Sequence, residues 1–258
     1  LARDYGIEEA DGQRAEVAQF IVDLESKAEA WSMARQKLQA TTGRRPSEVI
    51  ELLAELPALL AREGAREPRL WLLTTNYDTL MEDALAARGE PFHLLYYQAD
   101  GEWEGRFVHR DLDGIIRVLE RPQNIHAFGE AGHVVVKLDG GIPWDERIPE
   151  SVTFAPLEFS ISAGRLPAAF PRVLQQVVRE QSLLVLGSSL QDPHVQRIVR
   201  WSAGGRHAVK TWAVRNDVTP TLERYWSATG VQLLNCDLGD FAALLRAQLL
   251  ALLGPQGA

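Results

Sequence analysis

Apolar residues recur at helical spacing in the first quarter of the chain and in short unbroken runs after it. From Ala15 to about Gly64, the stretches VAQFIVDLESKAEAW and SEVIELLAELPALLA set Leu, Ile, Val and Ala three and four residues apart among Glu, Gln and Arg. That period and those residue types predict amphipathic helices. The second stretch carries a start signal. Pro46 precedes Ser47, and Glu48 and Glu51 follow, so a capping hydroxyl and negative charge sit at the positive end of the helix.

Beyond Pro68 the pattern changes to RLWLLTTNYD, HVVVKLDGG, SLLVLGSS, TWAVRND and VQLLNCD. Each apolar run is too short for a typical helix and lacks the alternation of a one-sided strand. Helical stretches such as FPRVLQQVVRE and HVQRIVRW separate them. Five buried strands alternating with helices predict an α/β, Rossmann-like, doubly wound parallel sheet preceded by a helical N-terminal segment. The reading is one domain over 1–258, with a helical portion at 1–67, the sheet core at 68–252 and a frayed tail at 253–258. Residues 101–132 are rich in turn residues and weakly periodic. They are expected to form an irregular insertion, a loop or small subdomain over the sheet. In such sheets ligands bind at the carboxyl ends of the strands, so TTNYD, KLDGG, GSS, RND and NCD are expected to converge on one rim.

Composition narrows the function. The 258 residues are 46% hydrophobic and 24% charged, an ordinary globular balance. A formal charge of -8 and a pI near 5.3 oppose sequence-independent nucleic-acid binding, which depends on clustered Lys and Arg. The single cysteine, Cys236, excludes an internal disulfide and a multi-thiolate zinc site, and it fits a reducing cytoplasm. No apolar run approaches the ~18 residues of a membrane span, and the start has no signal-peptide pattern. A soluble, cytoplasmic protein without a metal or membrane partner is expected. The opening LARDYGIEEADGQRAE lacks Met and reads as the tail of a helix under way, so a piece of a longer protein is expected.

Taken alone, TTNYD places Asn76 and Asp78 at a strand exit, where an amide and a carboxylate can face a polar ligand or cap the following helix. LGSSLQDPHV offers two hydroxyls and free backbone N–H groups at a strand-to-helix turn, suited to ribose or phosphate oxygens. Arg215, Asn216 and Asp237 lie at later strand ends, where a solvated loop is the plain alternative.

Together and in this order, TTNYD, KLDGG and LLVLGSSLQDPHVQRIV resemble the sirtuin-like family, in particular its bacterial branch of NAD hydrolases acting in antiviral defence. The resemblance spans about Pro68 to Leu252 and includes WAVRNDVTPTLERYWSATGVQLLNCDLGDFAALL as the closing strands and helix. It implies NAD as substrate or ligand, with Thr75 in the cofactor-binding site, Asn76 at the nicotinamide-side ribose and positioning water, and Asp78 holding the carboxamide. It places Gly187, Ser188 and Ser189 near ribose or phosphate, and Arg215, Asn216 and Asp237 along the adenosine end. It marks His194 as structural and gives Glu158 no role. It also makes a homo-oligomer or larger defence assembly plausible.

Two departures bear on mechanism. The family's glycine-alanine-glycine-x-serine turn, which cradles pyrophosphate with backbone N–H groups, has no counterpart in residues 1–67. Asp139 stands where the family carries its catalytic histidine. An ordinary Asp, with a pKa of about 3.9, is a weak base at neutral pH. Its charge can still stabilise a cationic sugar centre, as carboxylates do in glycoside cleavage, and burial raises its basicity. Asn76 and Asp139 are thus the candidate catalytic pair. His133 starts its strand on the order of 20 Å from Asp139, and His126 lies in the irregular segment, so neither replaces the missing histidine.

A degenerate module that binds NAD or an ADP-ribose derivative without turnover is the alternative. Protein deacylation lacks zinc cysteines and a peptide-binding strand here. Nicotinamide or flavin redox enzymes need a glycine fingerprint that the chain does not show, and fold class alone does not choose among these.

Overall fold

The computed structural model describes residues 14–39, 46–61, 69–124, 128–129, 131–203 and 210–253. Helix α1 (Arg14–Leu24) and helix α2 (Lys27–Gln39) occupy what reads in sequence as one helical stretch. The break is local chemistry. Ser26 Oγ accepts the Glu29 N–H at 3.2 Å and donates to the Glu29 carboxylate at 3.0 Å, a serine-to-glutamate cap that restarts the helix. Helix α3 (Glu48–Leu60) begins as its sequence signals, with Ser47 Oγ accepting the Ile50 N–H.

Strand β1 (Trp71–Thr74) leads into α4 (Leu80–Ala87), and then β2 (Phe92–Gln98), β3 (Arg106–Arg110) and β4 (Ile116–Val118) follow. After β5 (His133–Lys137) come the short β6 (Gly140–Gly141) and β7 (Ser151–Val152), then α5 (Pro156–Ala169) and α6 (Arg172–Glu180). The chain ends as β8 (Leu183–Leu186), α7 (Pro193–Ala203), β9 (Thr211–Arg215), α8 (Pro220–Ala228), β10 (Val231–Asn235) and α9 (Leu238–Leu253).

All five strands read from the sequence form, and the fold is the α/β, Rossmann-like one with a parallel-rich sheet and helices on both faces. Two features differ from the expectation. The segment 101–132 is not irregular throughout, because β3 and β4 extend the sheet antiparallel in the order β1-β5-β2-β3-β4. Strand β2, at the centre of that sheet, is buried along its whole length. Its sequence, FHLLYYQ, hides a central strand behind polar atoms that find partners inside. Tyr96 Oη donates to Ser151 O at 3.1 Å, and Gln98 Nε2 donates to Pro149 O at 3.2 Å.

Alternate residues of β2 and β5 face opposite layers, as the pleat requires. Leu95, Tyr97, Val134 and Val136 pack with Leu166, Phe170, Leu174, Val178 and Ile198 of the α5–α7 side. Leu94, Tyr96 and Val135 pack with Ala54 of α3 and with Ala84 and Leu85 of α4. Strands β10-β9-β8 form a second parallel sheet. Among the described residues β1 and β8 each leave one edge unpaired, while Trp71, Leu73 and Leu183 pack on one hydrophobic cluster. Helix α3 joins the two ends of the chain by packing on α9, with Leu52, Leu59 and Ala242 buried between them. The tail at 254–258 and the start at 1–13 lie outside the described residues.

Gly140 holds the turn after β5. Its φ is +69°, and an added Cβ would stand 1.9 Å from Ser151 O, a backbone atom with little room to yield. Gly140→Ala is expected to destabilise the domain by about 2 kcal/mol or more, measured by urea unfolding.

Candidate active site

Parallel pairing sets the site. Leu73 lies opposite Val136 and Thr74 opposite Lys137, so the TTNYD and KLDGG turns leave the sheet side by side. They interlock through the backbone: the Ile142 N–H donates to Tyr77 O at 2.8 Å, and any side chain at Gly141 would collide with the Tyr77 backbone. Asn76 is exposed, and Thr75 and Asp78 are partly exposed. The Asn76 N–H is held by Thr74 Oγ1 at 3.0 Å, which fixes the backbone and leaves the side-chain amide without a described partner. Asp78 divides its duties. Its Oδ1 accepts the Leu80 N–H at 3.1 Å, so helix capping accounts for one oxygen and the other stays available.

Beneath this turn lies a buried pair. Lys137 Nζ donates to the Asp78 carbonyl and stands 3.6 Å from Glu82 Oε1. Both side chains are essentially inaccessible. Neither Glu82 oxygen has a hydrogen-bond partner, and burial pushes its carboxyl up against the opposing pull of Lys137. Lys137 therefore fastens the Asp78 turn to the sheet.

Asp139 and its neighbours form a second buried network. Only 1% of Asp139 is exposed. Its Oδ1 pairs with His194 Nδ1, and His194 Nε2 pairs with Ser162 Oγ at 2.8 Å. An ionised carboxylate only accepts, so the proton between them belongs to Nδ1. Thr153 N–H donates to Asp139 O at 2.9 Å, and Tyr77 Oη donates to Thr153 O at 2.6 Å. Burial pushes the Asp139 carboxyl up to about 6, against the pull of its His194 hydrogen bond and charge. That is close to the ordinary histidine value of about 6.5.

His194 reaches Asp139 because Asp192 Oδ1 caps α7, accepting the His194 and Val195 N–H groups at 2.7 and 3.1 Å. Asp139, Asp192 and His194 bring ligand atoms within 4.8 Å of one another. Both ring nitrogens of His194 are engaged, and one Asp192 oxygen serves the cap.

The GSS turn is built from its own hydroxyls. Ser188 Oγ accepts the Leu190 N–H at 3.1 Å and Ser189 Oγ accepts the Gln191 N–H at 3.2 Å. Each hydroxyl accepts in this turn, which leaves its own proton to donate elsewhere. Leu190 is held at φ 61°, with its side chain buried. Arg215 grips Asp217 through two hydrogen bonds of 2.7 and 2.6 Å and donates to Ser189 O, so it braces the turn. Asp237 Oδ1 caps α9 by accepting the Gly239 N–H at 2.8 Å, which leaves Asn216 and Gly187 as exposed rim positions.

Over residues 71–234 the chain matches the family model described as the SIR2-like domain. The chain belongs to the SIR2-like domain family. No curated protein matches it. The SIR2-like assignment makes NAD the ligand class against which the rim is judged. The exposed Asn76 amide, the hydroxyls of the partly exposed Ser188 and the exposed Ser189, and the side-chain-free Gly187 are polar and small enough to suit a dinucleotide. Among the described residues no helix is long and apolar enough to cross a membrane.

Sequence reading missed the partners of Asp139. His194 pairs with Asp139 and Ser162 pairs with His194, and Glu158 has a structural role. Its Oε2 accepts the Phe154 N–H at 2.8 Å, and its Oε1 pairs with Lys27 of α2 at 3.1 Å. The Asp-Pro-His order was the available signal, because a capped helix start points its first side chains back toward the strand ends. His133 sits at the opposite end of β5, bound to Glu90 at 3.1 Å, and His126 lies outside the described residues.

Lys137→Met leaves Glu82 buried without its counter-charge and should cost about 3–5 kcal/mol, whereas the double variant with Glu82→Leu should recover most of it. A denaturant double-mutant cycle measures both. Asp139 gives a pH signature. Its folded pKa is raised above the unfolded value, so its contribution is fully present below about pH 4 and is lost as pH rises through about 6. The loss is on the order of 3 kcal/mol. Asp139→Asn should flatten that slope in urea titrations between pH 4 and 7.

Proposed function

We propose that this SIR2-like domain hydrolyses NAD to nicotinamide and ADP-ribose, in the cytoplasm, as the effector part of an antiviral defence assembly. The observation that carries the reading is the parallel β1–β5 register, which sets the exposed Asn76 amide beside the turn that begins at Asp139. Asn76 orients the attacking water and Asp78 holds the carboxamide. The glycosidic C–N bond breaks with its electron pair going to the pyridine nitrogen, which leaves as neutral nicotinamide. Water oxygen bonds to the sugar carbon, and its proton passes to solvent.

Asp139 contributes charge. Its carboxylate lies beneath the rim and out of water, where a low local dielectric strengthens its field on a cationic sugar centre. Thr75, Gly187, Ser188, Ser189 and Asn216 serve the ribose and phosphates, with Arg215 and Asp237 shaping the adenosine end. The defence role and assembly with further copies rest on the motif resemblance.

The burial of Asp139 favours a second reading, a module that binds NAD or an ADP-ribose derivative without cleaving it. Nicotinamide release by the intact protein separates the two. Hydrolysis predicts release that falls about 100-fold in Asn76→Ala. Retained ADP-ribose affinity with no release from the unaltered protein would instead establish the binding module. Asp139→Asn is the cleaner companion, since Asp139→His sets a second imidazole against His194 in a dry pocket.

A further inference from the structure

We infer that His194, oriented by Ser162, is a positioning residue that keeps the Asp139 carboxylate charged and fixed for the cleavage step. The catalytic half of this inference rests on the hydrolase reading, whereas the electrostatic half stands without it. Three side chains from three separate elements meet here in sequence: Asp139 just beyond β5, His194 in the first turn of α7 and Ser162 in α5. Asp139 and His194 are no more than 1% exposed, and Ser162 is 4% exposed. A charge so far from water needs a fixed donor to persist.

His194 supplies that donor through Nδ1, and Ser162 determines how well. With its hydroxyl turned to His194 Nε2 at 2.8 Å, Ser162 leaves the ring proton on Nδ1, facing the carboxylate. A second acceptor, Phe159 O, lies 3.4 Å from the same hydroxyl. Ser162 can therefore turn its proton away and accept from Nε2 when the ring takes up another. The network has room for one more proton without leaving a buried polar atom unpaired.

Burial is the main opposition to the Asp139 charge, and Asp192 at the start of α7 adds to it. Tyr77, from the turn after β1, and Tyr97, from β2, also face this pocket, and their hydroxyls stay neutral because burial first and the Asp139 charge among the lesser causes push them up. Glu158 of α5 lies near Tyr77, and its carboxylate is engaged by Lys27. His194 supplies the hydrogen bond and the opposing charge that favour the ionised carboxyl. Removing it leaves burial unopposed, and the charge used in cleavage disappears at neutral pH.

The test reads Asp139 directly and the reaction separately. Carboxyl carbon-13 NMR of the intact protein, with the signal assigned by its loss in Asp139→Asn, gives the titration midpoint. NAD hydrolysis followed from pH 5 to 9 gives the acid limb of kcat. In His194→Leu both should move up by about one to two pH units, with KM for NAD changed less than twofold. His194→Asn keeps an N–H donor near the Nδ1 position but carries no charge, and should bring the midpoint part of the way back from its His194→Leu value. Ser162→Ala should produce a smaller upward shift and serves as the deciding variant if His194→Leu does not fold. An Asp139 midpoint unchanged or lowered in His194→Leu or Ser162→Ala, or a rate loss equal at every pH, overturns the inference. Absence of nicotinamide release from the unaltered protein overturns the hydrolase reading, while the NMR midpoints still decide whether His194 governs Asp139.

Discussion

The bond between His194 and Asp139 joins two parts of the sheet layer that share no strand ladder. Strand β5 belongs to the five-stranded sheet, whereas α7 follows β8 of the three-stranded one. Shared hydrophobic packing brings Ile198 of α7 against Val136 of β5, but packing alone is tolerant of small slides. A buried, directional hydrogen bond between a carboxylate and a ring is not. It ties the turn after β5, which interlocks with the turn that carries Asn76, to the start of α7, which follows the turn that carries Ser188 and Ser189.

Two buried pairs therefore sit under one rim. Lys137 and Glu82 fasten the first turn to α4, and Asp139 and His194 fasten the neighbouring turn to α7. Replacing such pairs with apolar residues is often neutral or favourable for stability, so their presence costs something that packing does not require. What they provide is placement. Trp31 of α2 completes the arrangement by packing edge-on against Tyr77 at 5.3 Å and Phe154 at 5.9 Å. The N-terminal helices thus cover the inner wall of the site.

The sequence was most legible where apolar runs were continuous. Trp71–Thr74, His133–Lys137 and Leu183–Leu186 could be read because fully buried parallel strands carry few polar interruptions. Phe92–Gln98 was not legible, since a histidine, two tyrosines and a glutamine obscure the run, and only the tertiary fold supplies their partners. The Ser26 restart was written in a Ser-Lys-Ala-Glu order and passed over in favour of one longer period. The rim residues could be placed by strand order alone. The partners of Asp139 could not, because Ser162 and His194 are distant in sequence and meet only when α5 and α7 dock on the same face. Likewise, residue type and strand order alone do not reveal that Arg215 holds Asp217 and that Asp237 caps α9.

The packing of α3 on α9 has a further consequence for how the protein is made. Glu55 and Arg246 form an ion pair at 2.9 Å across 191 residues of chain, and the Leu52, Leu59 and Ala242 cluster beside it is equally non-local. Contacts of such high sequence separation close late in folding. During synthesis the apolar face of α3 must wait until α9 has left the ribosome. Until then Leu52 and Leu59 are open to other partners, chaperones and neighbouring nascent chains among them. Yield in the cell is thus coupled to α9, although the residues of the candidate site lie ahead of it.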